Sequence, residues 1–126
     1  MAVGLNATVQ TGILNIFRGT NYTAPTALYV KLHKGDPGAA GTANASAVTT
    51  RNQLTLAAPS AGAINLTTLA SYSMTTSETI SHVSIWDSST AGTFQFSAAL
   101  TAAKPVNNGD TLTFNTFSVS VTPAAA

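Results

Sequence analysis

Near its start the chain carries apolar side chains at Leu5, Val9, Ile13, Ile16 and Phe17. Their spacing of three or four is the period of one helix face, and it predicts a helix over 4–18 that stops before Gly19. Thr8, Thr11 and Gly12 lower helix propensity, so the same stretch also suits an irregular arm that orders on a partner. Both readings leave an apolar face that needs covering. After Thr20–Pro25 the period drops to two: Leu28, Val30 and Leu32 point one way, Tyr29, Lys31 and His33 the other, as in a half-buried strand.

The turn residues Lys34-Gly35-Asp36-Pro37-Gly38 follow, and small residues continue to Ala47 as a long surface loop, a kind that is commonly functional or flexible. Leu54 and Leu56, then Ile64 and Leu66, alternate with polar residues on either side of a break at 58–62, which predicts two short strands. A further strand covers Ile80–Trp86, with Val83 and Ile85 opposite His82 and Trp86. Phe94, Phe96, Ala98 and Leu100 share a face beyond a hairpin at 87–92. Asn107-Asn108-Gly109-Asp110 is a hairpin-type turn before the last strand. There the apolar parity flips between Leu112/Phe114 and Phe117/Val119/Val121. A β-bulge at Asn115 or Thr116 would restore one face, and a strand buried on both faces would show the same pattern.

Six or seven short strands after one helix predict a mainly β fold, a small antiparallel β-sandwich of jelly-roll or Ig-like type with an N-terminal helix or arm. A barrel is the nearest alternative. The chain reads as one β domain over 1–126, with 1–20 as helix or arm and 26–122 as the sandwich.

Composition narrows what such a fold can do. Only 7% of the 126 residues are charged, against roughly a quarter in an average soluble domain. A surface of Thr, Ser, Ala, Asn and Gly repels its neighbours weakly and costs little to desolvate, which suits a part in an assembly. The net charge is +1 with no basic stripe, so nucleic acid is not an expected partner. No charged leader and no apolar run of about 18 residues stands out, so neither export by a signal peptide nor membrane insertion is expected. With no cysteine there is neither a disulfide framework nor a thiolate site. Four Asn-x-Ser/Thr triplets begin at Asn6, Asn21, Asn44 and Asn65, as chance allows in so Thr- and Ser-rich a chain.

Candidate chemistry is sparse. His33 and His82 are the only histidines, and no carboxylate stands two residues from either, so no metal site is expected. His33 with Lys34 and Asp36 reads as a polar strand end entering a turn. The chain has no Gly-x-Ser-x-Gly elbow, phosphate loop or acidic pair for glycoside hydrolysis. No catalytic residue and no cofactor are assigned, and a non-enzyme is expected. Trp86-Asp87 beside a turn admits a carbohydrate-binding module, although a lone Trp is more often a buried sheet-edge residue.

Leu28–Gly38 (LYVKLHKGDPG), Arg51–Pro59 (RNQLTLAAP), Ile80–Asp87 (ISHVSIWD), Phe96–Thr101 (FSAALT) and Val106–Leu112 (VNNGDTL) carry a resemblance over nearly the whole chain. It resembles the short virion proteins of actinobacterial tailed phages that are labelled tail fibre, minor tail or minor capsid protein. The resemblance implies a structural part of the virion, assembled in the cytoplasm of the bacterial host. A tail fibre needs an anchor, a shaft and a tip, whereas a decoration protein needs one small domain repeated on a lattice. The expectation is therefore a minor capsid or decoration protein that stabilises the shell as a homo-oligomer, with the major capsid protein as partner. A tail fibre or tail-tip protein acting in host adsorption is the alternative. Leu5, Val9, Ile13, Ile16 and Phe17, together with Lys34, Gly35, Asp36 and Pro37, are the expected contacts with neighbouring subunits.

Overall fold

The computed structural model of the protein describes residues 3–120. It is mainly β and antiparallel, as the alternation of apolar residues predicts, with one helix, α1 (Ala7–Phe17). The strands are β1 (Leu28–His33), β2 (Asn52–Leu56), β3 (Ala63–Leu69), β4 (Tyr72–Ser73), β5 (Glu78–Trp86), β6 (Phe94–Val106), β7 (Thr111–Leu112) and β8 (Ser118–Ser120). The sandwich takes the form of a six-stranded sheet in the order β6-β5-β1-β2-β3-β8 and a two-stranded sheet, β4-β7. The large sheet curls until its two edges face one another, bringing the rings of Phe96 and Phe117 to 6.4 Å between centroids.

Val30, Leu32, Leu54, Val83 and Ile85 line the concave side, and the small sheet closes it with Tyr72, Met74 and Leu112. Burying this apolar surface is the main driving force for the fold. The Tyr72 hydroxyl donates to the Val30 carbonyl across the core, and burial pushes its pKa up to about 12. β4 itself escapes sequence reading because two residues are too short to show alternation.

The helix begins three residues later than its periodicity suggests. Gly4–Asn6 runs extended along the edge of β6: Leu5 bridges Phe96, the Asn6 N–H donates to Gln95 O at 2.8 Å, and the Ser97 N–H donates to Gly4 O at 2.8 Å. The segment thereby covers the strand edge there. Asn6 then caps α1, its side chain accepting from the Thr8 N–H at 2.7 Å. At the other end Gly19 turns to φ +80°, and the N–H groups of Gly19 and Thr20 donate to Ile16 and Asn15, closing the helix in a Schellman motif. Arm and helix are thus both present, in that order.

A further expectation is corrected. No single bulge joins Leu112 and Phe114 to Phe117 and Val119, because the chain leaves β7, where Leu112 pairs with Tyr72, and enters the large sheet only at β8, where Val119 pairs with Ile64. Val121 lies outside the described residues. The bulges fall instead between Thr55 and Leu56 in β2, and between Ile80 and His82 and between Ile85 and Trp86 in β5. The 34–47 segment is a surface loop, as expected, and it packs as a cover over the outer face of β1 and β5. It folds on itself through Lys34 N–H to Asn44 O and Ala43 N–H to Pro37 O, and it returns to β1 through Ser46 N–H to Leu32 O.

Candidate association surface

Under that cover lie the residues with the most chemical character. His33 is fully buried, contrary to its reading as a polar strand end, because the 34–47 cover gives β1 a second buried face. Its Nδ1 lies 2.7 Å from the Ala43 carbonyl, which can only accept, so Nδ1 carries the proton. Nε2 is then the acceptor for Ser84, whose Oγ lies 2.7 Å away and itself accepts from the Trp86 Nε1–H at 2.8 Å. A Ser–His contact of this length is hydrolase-like. Here both residues are sealed from solvent, and the outer nitrogen meets a carbonyl rather than a carboxylate. The chain of bonds fastens the cover to the sheet.

Trp86 is buried against Phe94, with ring centroids 5.6 Å apart, as its core reading anticipates. Its outer face carries the Arg51 guanidinium 4.1 Å from the ring centroid, and Arg51 Nη1 also donates to the carbonyls of Ser88 and Ala91. Arg51 therefore pins the β5–β6 hairpin, a role without a local sequence signal. Gly41 approaches Phe94 so closely that an added Cβ would stand 2.5 Å from the ring.

Each of the four carboxylates accepts from a backbone N–H, although Asp36 Oδ2 is buried without a partner. Asp36 accepts from the Gly38 N–H, Glu78 from the Ala47 N–H, Asp87 from the Thr93 N–H and Asp110 from the Asn107 N–H. Each stabilises a turn or fastens a loop. Among the described residues no group of three or more His, Asp or Glu side chains could hold a metal ion. No described helix is long and apolar enough to cross a membrane.

The exposed side of α1 is apolar. Of the predicted contact residues, Val9 is buried, while Leu5, Ile16 and Phe17 are 52%, 54% and 85% exposed, and Ile13 is more than a third exposed. Leu14, at 59%, joins them, a residue the face pattern left out. The helix wheel accounts for Ile13, Leu14 and Phe17, while Ile16, on the same side as Val9 and Gly12, is exposed in the last turn. Val9 and the Gly12 side face the body, with Gly12 pressed on the Tyr22 ring, and the flank of Ile13, Leu14 and Phe17 points away. In the 34–47 segment Lys34 is exposed, Gly35 and Asp36 are half-buried, and Pro37 is buried, so its ring is part of the cover's own packing. Beside α1 runs an apolar groove of about 370 Å³, walled by Leu5, Val9, Ile13, Leu28, Phe96 and Val119. A second groove of about 520 Å³ adjoins it between the edges of β6 and β8, sharing Phe96 and Val119.

A β body whose carboxylates are bonded to its own backbone, with an uncovered apolar helix flank beside an apolar groove, has the surface of a structural subunit rather than of a solitary domain. The sequence matches the family described as Podophage GP4 fiber I protein gp80 over residues 4–122, and the chain belongs to that family of phage fibre proteins. No curated protein matches the sequence.

Proposed function

We propose that the chain is a non-enzymatic building block of a podophage tail fibre, held in the virion by contacts with copies of itself and with neighbouring virion proteins. The family match over residues 4–122 carries this reading, because that family is described by a fibre and not by a capsid component. It supports the fibre alternative over capsid decoration. The exposed flank of α1 supports a role made of contacts, and a surface with only 7% charged residues would desolvate at low cost as those contacts form.

Gold-conjugated antibodies against the purified chain, applied to intact particles of the phage that encodes it, test the reading. Label confined to the tail is expected. Label distributed over the head would restore the decoration reading and overturn this one.

A further inference from the structure

We infer that the exposed flank of α1 is a self-association surface, in which Phe17 of one copy seats in the apolar groove beside α1 of another. The inference deepens the fibre reading and rests on it only for its place in the virion.

Size is the first argument. Among the described residues Val3, Leu5, Ile13, Leu14, Ile16 and Phe17 are the exposed large apolar ones, and all lie between residues 3 and 17. Ile16 and Leu14 point to nearly opposite sides of α1, whereas Ile13, Leu14 and Phe17 form one flank. With Leu5 that flank presents on the order of 400 Å² of apolar surface, within the roughly 300–600 Å² of the largest patch on a monomer, a patch that is often functional. The groove walls add to it.

Charge points to the partner. From Val3 to Phe17 there is no ionisable side chain, and α1 has neither an acidic first turn nor a basic last turn. Such a surface offers nothing to a charged partner and does not repel a copy of itself.

Shape supplies the third argument, because this one chain carries both a projection and a recess of the same chemistry. Phe17 stands 85% exposed at the end of the helix, and the groove of about 370 Å³ runs beside the preceding turns, walled by Leu5, Val9 and Ile13. At about 1.5 Å rise per residue, Phe17 lies roughly 6 Å along the axis from Ile13, and Val9 lies the same distance the other way. Two helices crossing antiparallel near Ile13 therefore set each Phe17 beside the other copy's Val9. A two-fold axis makes both insertions at once, which is the self-complementarity a closed pair requires.

The natural chain has no cysteine, so single cysteines report contacts cleanly. Ile13→Cys and Phe17→Cys are purified and oxidised separately; both positions are more than a third exposed, and circular dichroism checks each fold. Because the two helices cross at Ile13, the inference predicts a covalent Ile13→Cys dimer in several-fold excess over any Phe17→Cys dimer. Phe17→Cys dimers in excess would mean that the helices meet end to end at Phe17, which overturns it. So would the absence of any covalent dimer. Failure here with gold label still on the tail would remove this contact and leave the fibre reading standing, whereas an Ile13→Cys dimer with label over the head would do the reverse.

Discussion

His33 has both ring nitrogens committed, one to the Ala43 carbonyl and one to the Ser84 hydroxyl, and the bond that Nε2 accepts from Ser84 needs the neutral ring. Burial holds its pKa below the ordinary 6.5, only partly offset by the bond to Ala43, with Lys31 and His82 adding to the depression. Above about pH 6.5 the folded and unfolded chains are both neutral at this position, and its contribution to stability is fully present. As the pH falls, the unfolded chain takes the proton first, so that contribution is lost from about pH 6.5 down through the lower folded value. Denaturant titrations at pH 7.5 and 5.5 should show a lower midpoint at 5.5, and His33→Leu should flatten the difference. At pH 7.5 the same variant should lose about 1–3 kcal/mol, since it leaves the buried Ser84 hydroxyl without its acceptor. The sequence shows His33 at a strand end but not its burial. The partners that bury it, Ala43 and Ser84, are remote or belong to a loop whose fold no local pattern encodes.

At the scale of elements, legibility follows length. β1, β2, β3, β5 and the first half of β6 alternate over enough residues to be read, whereas β4 and β7, two residues each, gain their identity only by pairing with one another. The parity flip near Asn115 is real, but it marks the passage of the chain from the small sheet to the large one. For α1 the period reveals the apolar stripe, yet Leu5 leaves it because the β6 edge offers backbone bonds to residues 4–6. Gly12 shows how the helix is held. An alanine there raises helix propensity by about 1 kcal/mol, but its Cβ would stand 2.2 Å from Tyr22 Cδ1. Gly12→Ala should therefore move the Tyr22 ring and loosen α1 from the body. Faster amide exchange over residues 7–17, with exchange in β1 and β5 unchanged, is the expected outcome.

Taken whole, the molecule divides its labour. The ionisable groups are few and mostly internal in their bonding: four carboxylates on backbone N–H groups, Arg51 on a hairpin, His33 beneath a cover. What the body leaves for others is the uncharged flank of α1 and the groove beside it. Charge scarcity and helix period are visible in the sequence and lead to an association surface, while the groove, made of residues from both termini and the middle of the chain, exists only in the fold. Sedimentation velocity of the full chain beside Phe17→Asp and Leu14→Asp tests this account most directly. Both side chains are more than half exposed, so neither change should disturb the fold, and far-UV circular dichroism checks that. The account predicts a wild-type oligomer at micromolar concentration and a monomer in each variant with an unchanged spectrum. A wild-type monomer at those concentrations, or variants that sediment as the wild-type oligomer does, would contradict it.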